Sequence, residues 1–220
     1  METVVLCLAN SKKLNERCVA GIDVRTGDWV RPVSRSGDHG AVPFCERQIE
    51  RSEPQPLDLI EMDLAHDGPT GFDYCHAREN RWIDPTPWRK FGRAKAADLE
   101  RYCCTEQTIL HSRVKFTRPD VIEVKPLAQR HTLELRRVNQ LQVRHDGKKW
   151  CCSFVTPPGI VATDLSVTDL ELLALLNEGK PFASRGFAVV SLTVPFSPPI
   201  PDWDQGAVGW KLLAAWIPAV

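Results

Sequence analysis

The chain has 220 residues, enough for one large domain or two small ones, and its 43% hydrophobic and 25% charged residues are typical of a folded globular protein. Lysine and arginine together number 28, as do aspartate and glutamate, so the formal net charge is zero. This balance argues against a strongly basic nucleic-acid coat protein and against a polybasic membrane binder, because both need excess positive charge. It still allows a local basic groove.

The eight cysteines follow neither a zinc-binding nor a disulfide pattern. Four of them form the adjacent pairs Cys103-Cys104 and Cys151-Cys152, and the sequence has no C-x₂-C knuckle with a partner knuckle. We therefore expect reduced structural thiols, no metal and no other cofactor. The opening residues carry a negative charge and a short apolar run rather than a signal peptide, and no run is long enough to cross a bilayer. We expect a cytoplasmic protein.

The first half of the chain is rich in strand patterns. The continuous apolar run at residues 4–9 is typical of a strand that is buried on both faces. Residues 17–24 alternate and lead through a turn into residues 29–33, which together predict a β-hairpin. The polar residues 34–56 predict a long surface loop, and residues 57–64 alternate again as a strand.

The second half predicts further strands and short helices. The predicted strands are residues 113–116, 121–127, 132–137, 141–145, 149–155, 187–194 and 209–217, the last of which also suits a helix. Asp146-Gly147 is the strongest hairpin turn signal in the chain. Ser166 is a suitable N-cap for a helix over residues 167–177, which Gly179 and Pro181 would end. Another short helix is predicted at residues 96–102.

Together these patterns predict a mostly β protein made of two tandem OB-like β-barrels with one or two short helices. About ten strands fall into two groups of about five, which is the number in one small, partly open barrel of this kind. A division near residues 103–107 places the first barrel at residues 1–105 and the second at residues 106–220.

Several short segments also occur in an order and spacing that run through nearly the whole chain. They are Leu8-Ala9-Asn10-Ser11-Lys12, Arg17-Cys18-Val19-Ala20-Gly21, Trp29-Val30-Arg31-Pro32-Val33-Ser34, Glu79-Asn80-Arg81-Trp82-Ile83, Ala162-Thr163-Asp164, Ser191-Leu192 and Lys211-Leu212-Leu213-Ala214-Ala215. This combination resembles the bacterial family of dual OB domain-containing proteins. The resemblance implies a tandem pair of OB-like barrels in bacterial conflict systems, including antiphage defence, with recognition of nucleic acid or a nucleotide-like ligand. It implies no catalytic residues.

The hairpin of the first barrel contains a candidate ligand-binding cluster. Trp29 and Arg31 are two residues apart, so their side chains share one face of a strand. In an OB barrel the second and third strands form the binding face, where rings stack on bases and arginine contacts phosphate. Lys12 and Arg17 lie nearby and add positive charge. Alternatively, Trp29 is a core residue and Arg31 packs over it with a carboxylate partner.

A second candidate cluster surrounds the predicted turn at residues 146–147. Arg144, Lys148, Lys149 and Trp150 combine three cations with one ring, which suits contact with a nucleic-acid backbone. A solvated hairpin end needs polar residues in any case, and this reading explains the same residues equally well.

These residues predict a non-catalytic recognition module, a sensor or adaptor, that binds single-stranded nucleic acid or a nucleotide-like ligand. The alternative is a protein-interaction module that docks an effector protein, especially through residues 34–56. A nuclease or other hydrolase is a lesser alternative, because the sequence has no H-E-x-x-H, P-loop, G-x-G-x-x-G or G-x-S-x-G motif. We expect no membrane partner.

Overall fold

The structure, a computed structural model, describes residues 2–157 and 159–219. In these residues thirteen strands form two sheets. The strands are β1 (Glu2–Lys13), β2 (Glu16–Asp23), β3 (Trp29–Val33), β4 (Asp58–Asp63), β5 (Asn80–Trp82), β6 (Arg89–Arg93), β7 (Phe116–Thr117), β8 (Leu133–Val138), β9 (Gln140–His145), β10 (Trp150–Val155), β11 (Val161–Val167), β12 (Gly186–Leu192) and β13 (Gly209–Pro218). The α-helices are α1 (Phe44–Arg47), α2 (Pro119–Glu123) and α3 (Leu170–Asn177), and 3₁₀ turns include Phe72–Tyr74 and Ala96–Tyr102.

The first sheet has the strand order β5-β3-β2-β1-β4-β6. β1 pairs antiparallel with β2 and with β4, whereas β3 and β5 run parallel. A bridge between Leu64 and Ile83, just beyond the ends of β4 and β5, joins the two sides of the sheet. The chain therefore closes in the cyclic order β1-β2-β3-β5-β4, a five-stranded, partly open barrel of the OB kind.

The second sheet repeats this order. β8 and β9 are separated by Asn139 alone and act as one bent first strand, since β8 pairs with β12 and β9 pairs with β10. β10 pairs with β11, β11 runs parallel to β13, and β13 pairs antiparallel with β12. The third and fifth strands are thus parallel in both barrels. The prediction of a mostly β protein with two OB-like barrels is confirmed.

The two barrels share a hydrophobic core. Leu6, Leu8 and Ile22 of the first barrel pack in one cluster with Phe187 and Ile217 of the second. Fully burying one such side chain stabilises a fold by about 1.5–3 kcal/mol, so separating the barrels would expose a surface that is costly to hydrate. The division between residues 105 and 106 falls between the two sets of strands, and it stays a prediction.

Some predicted elements differ from the structure. Residues 121–127 are predicted as a strand, but Pro119–Glu123 forms α2, because a proline suits the first turn of a helix and Asp120 there favours the helix dipole. The helix expected over residues 167–177 begins at Leu170. Its N-cap is Asp169, whose carboxylate accepts hydrogen bonds from two backbone N–H groups, whereas Ser166 belongs to β11. For residues 209–217 the predicted strand is confirmed, as β13, and the alternative of a helix is not.

Residues 34–56 connect β3 to β4, and only part of this segment is a surface loop. Val42 and Ile49 are buried, and Arg47 is only 4% exposed. The guanidinium of Arg47 lies 2.7 Å from a carboxylate oxygen of Glu16 and 3.2 Å from one of Glu53. The pair with Glu16 fastens the segment to the first hairpin, and the pair with Glu53 holds the segment together internally. Within the described ranges, no helix has both the length and the apolar character needed to cross a membrane.

We expect the protein to unfold in one cooperative transition because the barrels share a core. Phe187→Ala should lower the free energy of unfolding by about 3–5 kcal/mol, since it opens a cavity in that core. In differential scanning calorimetry the whole transition should move to lower temperature, whereas Phe91→Ala, at a position that is 73% exposed, should change little. A trace that splits into two transitions would contradict the shared core.

Candidate ligand-binding cavity between the barrels

A cavity of about 510 Å³ lies where the two barrels meet. The first barrel supplies the β1–β2 turn, parts of β2 and β3, and the loop between β4 and β5, while the second barrel supplies residues 191–196, at the end of β12 and the start of the β12–β13 loop. OB barrels bind ligands on the second and third strands, beside the loops that join strands one to two and four to five. The cavity occupies that position on the first barrel, and its volume is typical of a small-ligand site.

Three cations line this cavity: Lys12, Lys13 and Arg31. The Nζ of Lys13 donates a hydrogen bond to the backbone carbonyl of His39 at 2.6 Å. Burial lowers the pKa of Lys13, and the nearby guanidinium of Arg31 lowers it further, although Cys18 acts in the opposite sense. Among the described lining residues, Asp73 supplies the one carboxylate. The excess of positive charge suits an anionic ligand.

Arg31 is the buried anchor of the cavity wall. Its Nη2 donates to Oγ1 of Thr132 at 2.9 Å and lies 3.8 Å from Oε1 of Glu79, while its Nη1 donates to Oδ1 of Asn80 at 3.4 Å. Glu79 in turn accepts a hydrogen bond from the backbone N–H of Thr132 at 2.9 Å. Arg31, Glu79 and Asn80 belong to the first barrel and Thr132 precedes the first strand of the second. The network therefore ties the two barrels together.

The binding face expected for Arg31 would leave its guanidinium open to solvent, but the side chain is only 9% exposed. β3 pairs with β5 so that Arg31 stands opposite Asn80, and this register brings the guanidinium to its buried partners. One donor is left over: within the described part of the chain, the buried Nε–H of Arg31 has no hydrogen-bond partner. A buried donor without an acceptor lowers the stability of the fold by about 1–3 kcal/mol, and a ligand oxygen that accepts its hydrogen bond would remove this loss.

The other residues of the first predicted cluster occupy different surroundings. Trp29 is half-buried and packs against the shared core, so its ring is not part of the cavity wall. Arg17 is also half-buried, and its Nε lies 3.4 Å from a carboxylate oxygen of Glu53. Lys12, at the end of β1, is exposed and lines the cavity. The structure thus brings Lys12 and Arg31 to one cavity and leaves Arg17 and Trp29 outside it.

An apolar and aromatic wall that sequence reasoning missed completes the cavity. Tyr74 lies in the β4–β5 loop and Phe196 in the β12–β13 loop, where the Phe196 side chain is 47% exposed. Burial raises the pKa of Tyr74, so its hydroxyl stays protonated and able to donate. The Phe196 ring lies 6.0 Å from that of Trp210. Both residues follow fourth strands, so the OB strand order was the signal that could have identified them.

The second predicted cluster lies on the β9–β10 hairpin, which is the counterpart of the β1–β2 hairpin in the first barrel. Arg144 pairs with Asp164 at 2.7 Å, and Trp150 donates its indole N–H to Asn177 at 2.8 Å. The backbone N–H groups of Lys149 and Lys148 lower the pKa of Asp146 at the turn to about 2. Both lysines are exposed. These residues are separate from the cavity between the barrels, and their role in binding stays a prediction.

One group of side chains has the spacing of a metal site. Ligand atoms of Cys104, Glu106 and Glu134 lie within 4.8 Å of one another. However, Glu134 already binds Arg136 at 2.7 Å and accepts the backbone N–H of Leu110 at 2.8 Å. Burial also raises the pKa of Cys104, which disfavours the thiolate that a metal requires. The group is better explained as part of a buried ion-pair network.

Comparisons with known proteins agree with the strand order of the two barrels. A family model described as a dual OB-containing domain matches residues 3–216. The match covers nearly the whole chain, so it concerns both barrels together rather than either one alone. Neither the curated proteins nor the solved structures provide a match.

We expect the Arg31 network to contribute substantially to stability. Arg31→Met should lower the free energy of unfolding by about 3 kcal/mol, because it leaves the buried Glu79 carboxylate without its cation. Adding Glu79→Gln should restore part of the loss, since the side-chain amide needs no counter-charge. Urea denaturation measures both changes. A loss below about 0.5 kcal/mol for Arg31→Met, the range of ordinary surface substitutions, would contradict this role.

Proposed function

The chain belongs to the dual OB-containing domain family, and from this premise we propose that it is a non-catalytic recognition module for a nucleotide-like ligand. The proposed site is the cavity between the barrels. The observation that supports it most directly is the buried guanidinium of Arg31, which lines the cavity and keeps an unpartnered N–H. Lys12 and Lys13 beside it add two further cations.

The two walls of the cavity suit the two chemical parts of a nucleotide. Lysine ammonium groups and an arginine fork are the usual donors to phosphate oxygens. The rings of Tyr74 and Phe196 offer apolar faces to a base, and stacking of this kind contributes about 1–3 kcal/mol per base. The pairing of cations with rings therefore favours a phosphorylated aromatic molecule over a simple inorganic anion.

The size of the site favours a small ligand. The second barrel covers the face that an isolated OB barrel would leave open to a long strand, and the cavity of about 510 Å³ is suited to one nucleotide. A zero net charge also implies weak non-specific attraction to polynucleotides. The terminal nucleotide of a single strand would bind through the same groups. The role of sensor or adaptor in bacterial defence, which the resemblance implies, remains a prediction.

Binding is tested by titrating adenosine 5′-monophosphate and a short oligothymidylate by calorimetry. Lys13→Met should weaken binding about tenfold or more, equivalent to about 1.4 kcal/mol. It should not lower the melting temperature, because burial already disfavours the charged amine. Phe196→Ala should also weaken binding. A matched control is Arg51→Ala with Arg185→Ala, which removes two exposed cations that are not part of the cavity wall.

The outcomes separate the proposed function from its alternatives. Equal affinity in the wild type and Lys13→Met, with any of these probes, would contradict the proposed site. A protein that binds no nucleotide probe but co-purifies with the product of a neighbouring gene would support a protein-interaction module. Metal-dependent or histidine-dependent degradation of a probe would support the enzyme alternative.

The affinity should also depend on pH through Lys13. An anion binds the protonated amine more tightly, and the pKa of that amine in the free protein lies below the ordinary 10.5. Affinity should therefore be greatest below the lowered pKa and should fall as the pH rises through it, at a lower pH than that at which ordinary lysines lose their charge. The phosphate stays dianionic above about pH 7. In Lys13→Met this fall should disappear, and an identical pH profile in both proteins would contradict the assignment.

A further inference from the structure

A second cavity, of about 380 Å³, lies on the second barrel and shares no lining residue with the first. One side is formed by the loop of residues 107–115 that leads into β7. The other side is formed by residues 159–165, which include the first part of β11, and Lys211 of β13 reaches the cavity between them. The proposed function of the cavity between the barrels does not use any of these residues.

Lys211 is a buried cation. The residue is 4% exposed, and its Nζ donates to the backbone carbonyls of Ser112 at 2.8 Å and Val114 at 2.5 Å. An ammonium group has three donors, so these two bonds leave one N–H. In the described part of the chain, no carboxylate forms an ion pair with it. Burial lowers the pKa of Lys211 to about 8; Glu134 acts in the opposite sense, and Arg136 lowers the pKa further.

Two exposed cations face the same cavity. Arg113 and Lys115 both line it, and the described lining residues include no aspartate or glutamate. The ammonium of Lys115 lies 5.6 Å from the centre of the Trp210 ring, a neutral partner that leaves its charge in place. By contrast, Arg144 on the β9–β10 hairpin is neutralised by an aspartate. The described lining thus carries three cations and no carboxylate.

The loop that carries these cations is held in a fixed shape. Leu110 and His111 both have positive φ angles, of 44° and 70°, which non-glycine residues adopt only when their surroundings impose it. The N–H of Leu110 donates to the buried Glu134 at 2.8 Å, and Thr117 Oγ1 donates to the Leu110 carbonyl at 2.5 Å. Isolated pairing of Ile109 with Ser112 closes the turn. The backbone of this loop is thus held in place before any ligand arrives, which lowers the entropic cost of binding.

The opposite wall is apolar. Ile160, Val161, Ala162 and Leu165 line the cavity from the segment that forms β11, and Val161 is 55% exposed. An inorganic ion would use only the cationic side and would leave these side chains in water. A ligand that carries an organic group next to its anionic group would cover both walls. The lining therefore favours an organic anion over a free ion.

We propose that this cavity is a second ligand site, which binds the phosphate group of an organic phosphate monoester through Lys211, Arg113 and Lys115 and covers its organic part with the apolar wall of β11. The site is independent of the cavity between the barrels. The dianionic phosphate matches a lining of three cations better than a monoanionic carboxylate does, because it distributes more charge over three oxygens.

The test uses phenyl phosphate as the probe and amide NMR spectra of the full chain as the readout, because the spectra report each cavity separately. Phenyl phosphate should produce saturable shifts at residues 113–115 and 159–162. Inorganic phosphate should bind there at least about tenfold more weakly, since it gains nothing from the apolar wall. Phenol, which lacks the anionic group, should produce no saturable shifts at these amides.

The decisive variant is Arg113→Ala with Lys115→Ala, whose exposed side chains can be removed without opening the core. It should weaken phenyl phosphate binding at these amides at least about tenfold, while the matched control Arg51→Ala with Arg185→Ala should bind as the wild type does. Absence of saturable shifts in the wild type, or equal affinity in the decisive variant, would overturn the proposal. If inorganic phosphate bound as tightly as phenyl phosphate, the proposed contact between the organic group and the apolar wall would be overturned. If no nucleotide binds between the barrels, the amides of residues 11–14 will not shift when a nucleotide is added. That result would leave the shifts at residues 113–115 and 159–162 unchanged.

Discussion

One buried charge, the guanidinium of Arg31, sets the constraint on which the arrangement of the two barrels depends. A guanidinium that is removed from water needs hydrogen-bond acceptors and a counter-charge, and it is strongly destabilising without them. Glu79 and Asn80 of the first barrel supply part of this need, but the closest acceptor, at 2.9 Å, is Thr132 of the second-barrel half of the chain. The polar network therefore requires the two barrels to stay docked, in addition to the apolar side chains they share.

Docking of the barrels changes what an OB face can bind. The open groove of a single barrel suits a strand that passes across it. Here the β12–β13 loop, with Phe196, lies over the face formed by β2 and β3 and turns it into a cavity. The three cations remain on the first-barrel side and the ring of Phe196 is added from the second. A pair of barrels thus creates a nucleotide-sized site that neither barrel contains alone.

The strand patterns allowed much of the fold to be predicted. Alternation in β2 and β4 and the continuous apolar run of β1 follow directly from burial on one or both faces, so these strands were predictable locally. The helix at Pro119–Glu123 was not, because Val121 and Val124 are exposed while Ile122 is buried, and the apolar run does not show which of its residues join the core. Local periodicity cannot distinguish an apolar run that is buried from one whose side chains are partly exposed.

The site was less predictable than the fold. Strand alternation placed Trp29 and Arg31 on one face but could not tell whether that face meets water or a second barrel. Lys211 was a similar case, since its burial depends on the carbonyls of residues 112 and 114, about a hundred residues earlier in the chain. Contacts of that range come from the pairing of the two halves, and they carry no signal in the residues nearby.

The most direct test of the account is to follow the Nε–H of Arg31 by NMR while a nucleotide is added. The account predicts that the free protein shows this proton without a protein acceptor, and that adenosine 5′-monophosphate shifts its resonance and slows its exchange with water as a phosphate oxygen accepts its hydrogen bond. A resonance that stays unchanged when the nucleotide is shown to be bound would contradict the account, because the ligand would then lie elsewhere.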